Sequence, residues 1–173
     1  MADANGIIEW VLRQEDATLG GKVEQLEDGA GLTRFGITSR WDYKIVSPDF
    51  FTEPSDVALQ NAKSAYRAAY WNYIHGDDIE PDEVAASIFS FAVNAGAKTS
   101  VILAQRALDL EPDGVVGQHT LIALREPGAG DAIRAAQANH YKAIVAKDPS
   151  KQRFLVGWLR RAARVYPSLE GIV

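Results

Sequence analysis

A chain of 173 residues, 47% hydrophobic and carrying a net charge of -5, is long enough for one domain with an ordinary buried core. Its acidity argues against a general affinity for nucleic acid, which depends on Lys and Arg neutralising phosphates. Cysteine is absent, which excludes disulfides, thiolate metal sites and a cysteine nucleophile. No run approaches the roughly 18 apolar residues that span a bilayer, and "MADANGIIEWVLRQED" has acids where a secretory signal carries bases. Synthesis in the cytoplasm without a signal peptide, and no stable membrane insertion, are therefore expected.

In chain order, residues 3 to 14 place Ile8, Val11 and Leu12 at helical spacing, and Glu15 continues that stripe. From Asp16 to Gly36 the chain carries Gly20, Gly21, Gly29, Gly31 and Gly36 among several acids, which reads as a turn-rich excursion. Within it "LTRFGI" predicts a short strand or hairpin arm, and Thr38 or Ser39 is placed to cap a short helix through Trp41. Ser55 is placed to cap a helix reaching about Tyr73, with Leu59, Ala62, Tyr66, Ala69 and Tyr70 on one face. Pro81 opens a helix over Asp82 to about Ala95, which "NAG" punctuates. Val101 to Leu108 predicts another helix, stopped at "EPDG", and a short one spans Thr120 to Arg125. Two longer helices finish the pattern, Asp131 to about Ala146 and Ser150 to about Tyr166. The expected fold is mainly α, with one small β-hairpin excursion near the N-terminus.

Charge is uneven along this pattern. Residues 1 to 60 carry 11 acids and 5 bases, whereas residues 131 to 173 carry 3 acids and 8 bases, Arg134, Lys142, Lys147, Lys151, Arg153, Arg160, Arg161 and Arg164. These bases read either as a solvated helix face or as a contact surface for an anionic polymer.

His75, His119 and His140 lie far apart in sequence with no partner at metal-ligand spacing, so no metal site is expected. The loop "DLEPDGVVGQHT" (109 to 120) echoes the first half of a calcium loop, but its twelfth position is Thr120 where a bidentate Glu is required. Nucleophile-elbow and phosphate-loop signatures are missing, and no cofactor is implied. Carboxylates remain. A carboxyl group that closes an apolar helical face is partly desolvated, the condition that suits a general acid near neutral pH. Glycosidic cleavage needs such an acid at the leaving oxygen and a second polar group across the sugar, for which the excursion offers Glu24, Glu27, Asp28 and Thr33. The bland alternative is a solvated helix boundary followed by an acidic loop.

Taken together, Glu15, "DGAGLTRFGIT" (28 to 38), "YWNYIHGDDI" (70 to 79), "FSFAVNAG" (89 to 96), "AQRALDLEPDGVVGQHTLIAL" (104 to 124) and "FLVGWLRRA" (154 to 162) resemble glycoside hydrolase family 108, lysozyme-like N-acetylmuramidases of phage endolysins and secretion-associated peptidoglycan hydrolases. The blocks occur in the family's order across almost the whole chain. The resemblance implies a single lysozyme-like domain over 1-173, with 1-96 as the catalytic part and 97-173 as a helical peptidoglycan-binding part. It implies hydrolysis of the β-1,4 bond between N-acetylmuramic acid and N-acetylglucosamine, with peptidoglycan as partner and action in the periplasm after release through a holin-like pore or a secretion system.

By position, the resemblance makes Glu15 the general acid, with Asp28 and Thr33 organising the attacking water. Glu27, Gly36, Thr38, Trp41, Tyr70, Trp71 and Asn94 become candidate substrate-binding residues, Gly36 by letting the backbone approach closely or turn tightly. For Trp41, Tyr70, Trp71 and Tyr73 a place in the core stands beside sugar stacking, and Asn94 reads equally as a helix-ending Asn-x-Gly. The chain departs from the family pattern at several points. Glu15-Asp16-Ala17 replaces Glu-Gly-Gly, putting a like charge beside the acid; the interval from Glu15 to Thr33 is about four residues longer; Ala30 replaces a glycine; and Ser90 stands where Asp is frequent. Two alternatives stay open on these departures: a lytic transglycosylase, and a non-catalytic peptidoglycan-binding protein on the same fold.

Overall fold

The computed structural model describes residues 2–26, 29, 31–40 and 44–167. Two compact units divide the chain, one formed by Ala4–Ala69 and the other by residues 1–3 with 70–173.

In the first unit, helix α1 (Ala4–Glu15) buries Ala4, Ile7, Ile8, Val11 and Leu12, residues that recur every three or four positions and so share one face. That face packs on α2 (Ser55–Tyr66), which offers Ala58, Ala62, Ala65 and Tyr66. Small residues on α2 let the two backbones approach. Across the top of the pair, Glu9 receives Lys63 at 2.9 Å and Arg13 at 2.8 Å, and these donors hold its carboxyl below the usual range.

Between the helices lies a three-stranded antiparallel sheet, β1 (Glu24–Leu26), β2 (Gly31–Arg34) and β3 (Ile37–Thr38), in sequence order. The expected hairpin is present, extended by one strand. Phe35 and Gly36 join β2 to β3 with φ of 51° and 76°, the pair of positive values that defines the tight turn best matched to strand twist. Thr38 belongs to β3 and does not cap a helix. Ser39 continues the pairing instead: its N–H donates to Leu32 O, and its Oγ accepts from the Leu32 N–H. Trp41, the predicted end of that short helix, lies outside the described residues.

The helix expected from Ser55 to Tyr73 is α-helical only to Tyr66. It then widens into a π-helical turn, Arg67–Trp71. Ser55 is its first residue and caps nothing, because its Oγ accepts a hydrogen bond from Arg34 Nη2 at 3.1 Å.

The second unit is built on α3 (Asp82–Ala95), in which every residue from Val84 to Ala92 is buried. A helix apolar on all sides has to be surrounded, and α4 (Ala97–Ala107), α6 (Ala129–Lys147) and α7 (Gln152–Ala162) pack against it. Gly96, at φ 92°, makes the break between α3 and α4 that "NAG" predicts. The short helix α5 (Gln118–Leu124) starts two residues before its expected position. α7 ends four residues short of Tyr166, whose hydroxyl donates to Asp3 at 3.0 Å. A cluster of Phe91, Tyr141 and Ala162 closes the far end, with Leu103, Ile144, Leu155 and Trp158 packed on it. The "EPDG" loop is gathered by Gln105, which donates to Asp113 at 2.7 Å and Val115 O at 3.0 Å and accepts from Gly114 N–H at 2.8 Å. Among the described residues no group of three metal-ligating side chains converges, and no helix is long and apolar enough to cross a membrane.

Candidate active site

Glu15 is the last residue of α1, one helical step beyond Val11 and Leu12 on the same face. The core ends at Leu12, so Glu15 emerges into solvent where a desolvated side chain was expected. It does not point away from the sheet, however. Its Cβ and Cγ lie on Gly36: a Cβ built there would meet Glu15 Cγ at 2.7 Å and the Tyr66 hydroxyl at 2.8 Å. Tyr66 in turn donates to Phe35 O at 2.9 Å, tying α2 to the same turn. Gly36 is thus required twice, by its positive φ and by the absence of a side chain where acid, phenol and turn converge.

The sheet adds a row of polar groups. Glu24 pairs with Thr33, and Thr33 pairs with Thr38, so these three side chains share one face. Arg34 and Ile37 occupy the opposite face and are 4% and 1% exposed, so the Glu24–Thr33–Thr38 row looks away from the core. Glu24 is ion-paired with Lys22 at 2.9 Å. Asp28 and Glu27, the other two carboxylates proposed for this role, lie outside the described residues, as does Trp41.

Asp16 organises the loop that follows Glu15. Its Oδ1 accepts from Thr18 N at 3.1 Å and Thr18 Oγ1 at 2.9 Å, and its Oδ2 accepts from Gly21 N at 2.8 Å. Burial alone would raise its pKa, but the donors of Gly21, Thr18 and Gly20 outweigh it and hold the carboxyl below its ordinary range. A charged side chain therefore folds the loop after Glu15, which is a different solution from backbone freedom.

Arg34, absent from the candidate residues, is the anchor of the sheet. Its Nε donates to Gly21 O at 2.8 Å, Nη1 to Phe50 O at 2.7 Å and Glu53 O at 2.9 Å, and Nη2 to Ser55 Oγ. The guanidinium also stands 5.9 Å from the ring centroids of Phe35 and Phe50. Strand alternation carried the signal: with Thr33 facing out, Arg34 must face in. Helical spacing places Tyr66 on the core face of α2, and the role of its hydroxyl follows from the turn it meets.

The remaining candidates belong to the second unit. Trp71 is wholly buried, donates from Nε1 to Asp77 Oδ1 at 3.0 Å and stands edge-on to Phe89. It is a core residue and offers no face to a sugar. Gly76 lies directly under its indole, leaving no room for a side chain. Tyr70 is half-buried and Tyr73 is exposed, its hydroxyl 3.4 Å from Gly114 O. Asn94 is exposed, and its Nδ2 donates to the Tyr141 hydroxyl at 2.7 Å, which fixes the end of α3 against α6.

A mainly helical chain with a small antiparallel sheet near its N-terminus has a lysozyme-like fold. The family model described as glycosyl hydrolase 108 matches residues 8–96, and the one described as a predicted peptidoglycan domain matches residues 99–163. The chain belongs to the glycosyl hydrolase 108 family and is a peptidoglycan hydrolase. No curated protein matches it. Among solved structures it is similar to Brucella abortus SagA, with a TM-score of 0.68 and 26% identity over 93% of this chain and 90% of that one.

Proposed function

We propose that the enzyme is an N-acetylmuramidase that hydrolyses the β-1,4 bond between N-acetylmuramic acid and N-acetylglucosamine, with Glu15 as its general acid. The observation that carries this reading is the seat of Glu15: a solvent-reachable carboxyl held against the turn of the hairpin that bears Thr33 and Thr38. Glu15 delivers its proton to the glycosidic oxygen as the bond to the muramic C1 breaks. A water then adds to C1 from the other face of the ring, steered by Thr33 and by a carboxylate of the excursion, Asp28 or failing that Glu27 or Glu24, which takes the water's proton. Replacing the Glu15 carboxyl by an amide removes the proton it delivers, and with it the first of these steps.

The test is to incubate the wild-type protein and Glu15→Gln with purified peptidoglycan and to analyse the fragments by mass spectrometry. Reducing muramic ends that appear with the wild type and vanish with the variant are the expected result. Anhydro-muramic ends would assign the same carboxyl as acid and then base in a lytic transglycosylase. Retention on the wall with no fragments would replace the muramidase reading with a binding one.

A further inference from the structure

We propose that the outward face of α7 and the segment just after it form a wall-binding ridge, on which Arg153, Arg160 and Arg164 engage the carboxylates that peptidoglycan carries along its strands. Residues 149 to 167 hold five bases, Lys151, Arg153, Arg160, Arg161 and Arg164, and no acid. The structure sorts them. Leu155, Trp158 and Ala162 point inward onto the Phe91–Tyr141 cluster, and Trp158 stacks on Tyr141 with centroids 5.2 Å apart. Arg153 and Arg160, seven residues apart, stand about 10 Å from one another along the opposite side of the helix, and Arg164 lies just past its C-terminal end at Ala162. All three are exposed, and among the described residues none pairs with a carboxylate. Arg161 lies on the flank with its Nη1 buried, and Lys151 is 3.7 Å from Asp148, so neither belongs to the ridge.

Two features favour an anionic polymer over a membrane. Leu155, Trp158 and Ala162 of α7 pack on the core, and the large apolar side chains that the helix leaves exposed are two, Phe154 at 44% and Val156 at 59%, a narrow patch for a helix lying in a lipid interface. The guanidinium of Arg153 lies 4.6 Å from the Phe154 ring centroid, a contact that restrains it before any ligand arrives and so lowers the ordering cost of an ion pair. Guanidinium groups also suit carboxylates, which they grip with paired hydrogen bonds. The identity of the polymer rests on the peptidoglycan reading above, supported by the match of residues 99–163 to a predicted peptidoglycan domain.

Binding is measured in the Glu15→Gln background, so that it is read without cutting and stands or falls apart from the catalytic assignment. Purified sacculi are pelleted with this protein and with the same protein carrying Arg153→Glu, Arg160→Glu and Arg164→Glu, each checked for an unchanged melting curve. The expected result is retention that weakens with added salt in the parent and is about tenfold weaker in the triple variant, the sum of three exposed charge contacts. Equal retention of parent and variant overturns the proposal. So does a parent that ignores sacculi and pellets with vesicles of phosphatidylglycerol in phosphatidylcholine.

Discussion

Glu15 and Gly36 touch so closely that a methyl group on Gly36 would stand 2.7 Å from the Cγ of Glu15. Gly36→Ala therefore meets two penalties at once, a left-handed φ of 76° that an L side chain resists and an overlap with both Glu15 and the Tyr66 hydroxyl. Together these amount to about 2–4 kcal/mol. The variant is expected to melt several degrees lower and to lose turnover more than its stability loss accounts for, because the side chain displaced is the proposed acid. Thermal melts paired with peptidoglycan turnover at a temperature where both proteins are folded check this; full activity in the folded variant would disprove the tight seat.

Thr33 tests the row on the sheet face. Val keeps the branched shape that the strand favours and removes only the hydroxyl, so Thr33→Val should fold with a stability within about 1 kcal/mol of the parent. If the hydroxyl steers the attacking water, kcat falls about 10- to 100-fold with little change in KM. A purely structural threonine would leave both constants alone. Steady-state kinetics on a soluble glycan fragment separates the two outcomes.

Much of this arrangement is legible in the sequence. The Val11–Leu12–Glu15 spacing sets the glutamate on the core-facing side of α1, and "LTRFGI" marks the β excursion, although the structure breaks that stretch into two strands at Phe35-Gly36. What spacing could not convey was depth. Glu15 continues the stripe and yet emerges, because the core stops one turn earlier; Trp71, a candidate sugar platform, is wholly enclosed, packed between Phe89 and Gly76. Ser55 and Thr38 carry the side chains of helix caps, but tertiary partners claim them, Arg34 for the first and β2 for the second. Propensity gives way wherever a buried donor needs an acceptor.

Asp16 predicts a specific acid limit. Its folded pKa lies below the unfolded value, so the carboxylate's contribution is fully present above the unfolded pKa and is lost as pH falls through the folded one. Asp16→Asn should lower stability near neutral pH by about 1–2 kcal/mol, through lost charge-assisted bonds to Thr18 and Gly21. It should differ least from the parent in strong acid, where both side chains are neutral. Urea titrations from pH 7 down to pH 3 record the gap; a gap that stays constant with pH would mean that the loop does not depend on the charge.

Arg34 gives the sharpest contrast between two conservative-looking changes. Its four hydrogen bonds end on three backbone oxygens and one hydroxyl, in a setting 4% exposed, so the charge is solvated by dipoles belonging to three separate segments. Arg34→Met fills the space but strands buried acceptors, at a cost of about 3–5 kcal/mol. Arg34→Lys keeps the charge but offers three donors at one point, where the segments around Gly21, Phe50 and Ser55 require a planar fork, and should cost about 2–3 kcal/mol. Both variants loosen the base from which Thr33 and the Phe35-Gly36 turn project, so kcat should fall even where the protein remains folded. Chemical denaturation ranks the stabilities, and a lysine variant as stable and as active as the parent would show that positive charge alone, without the fork, holds the sheet in place.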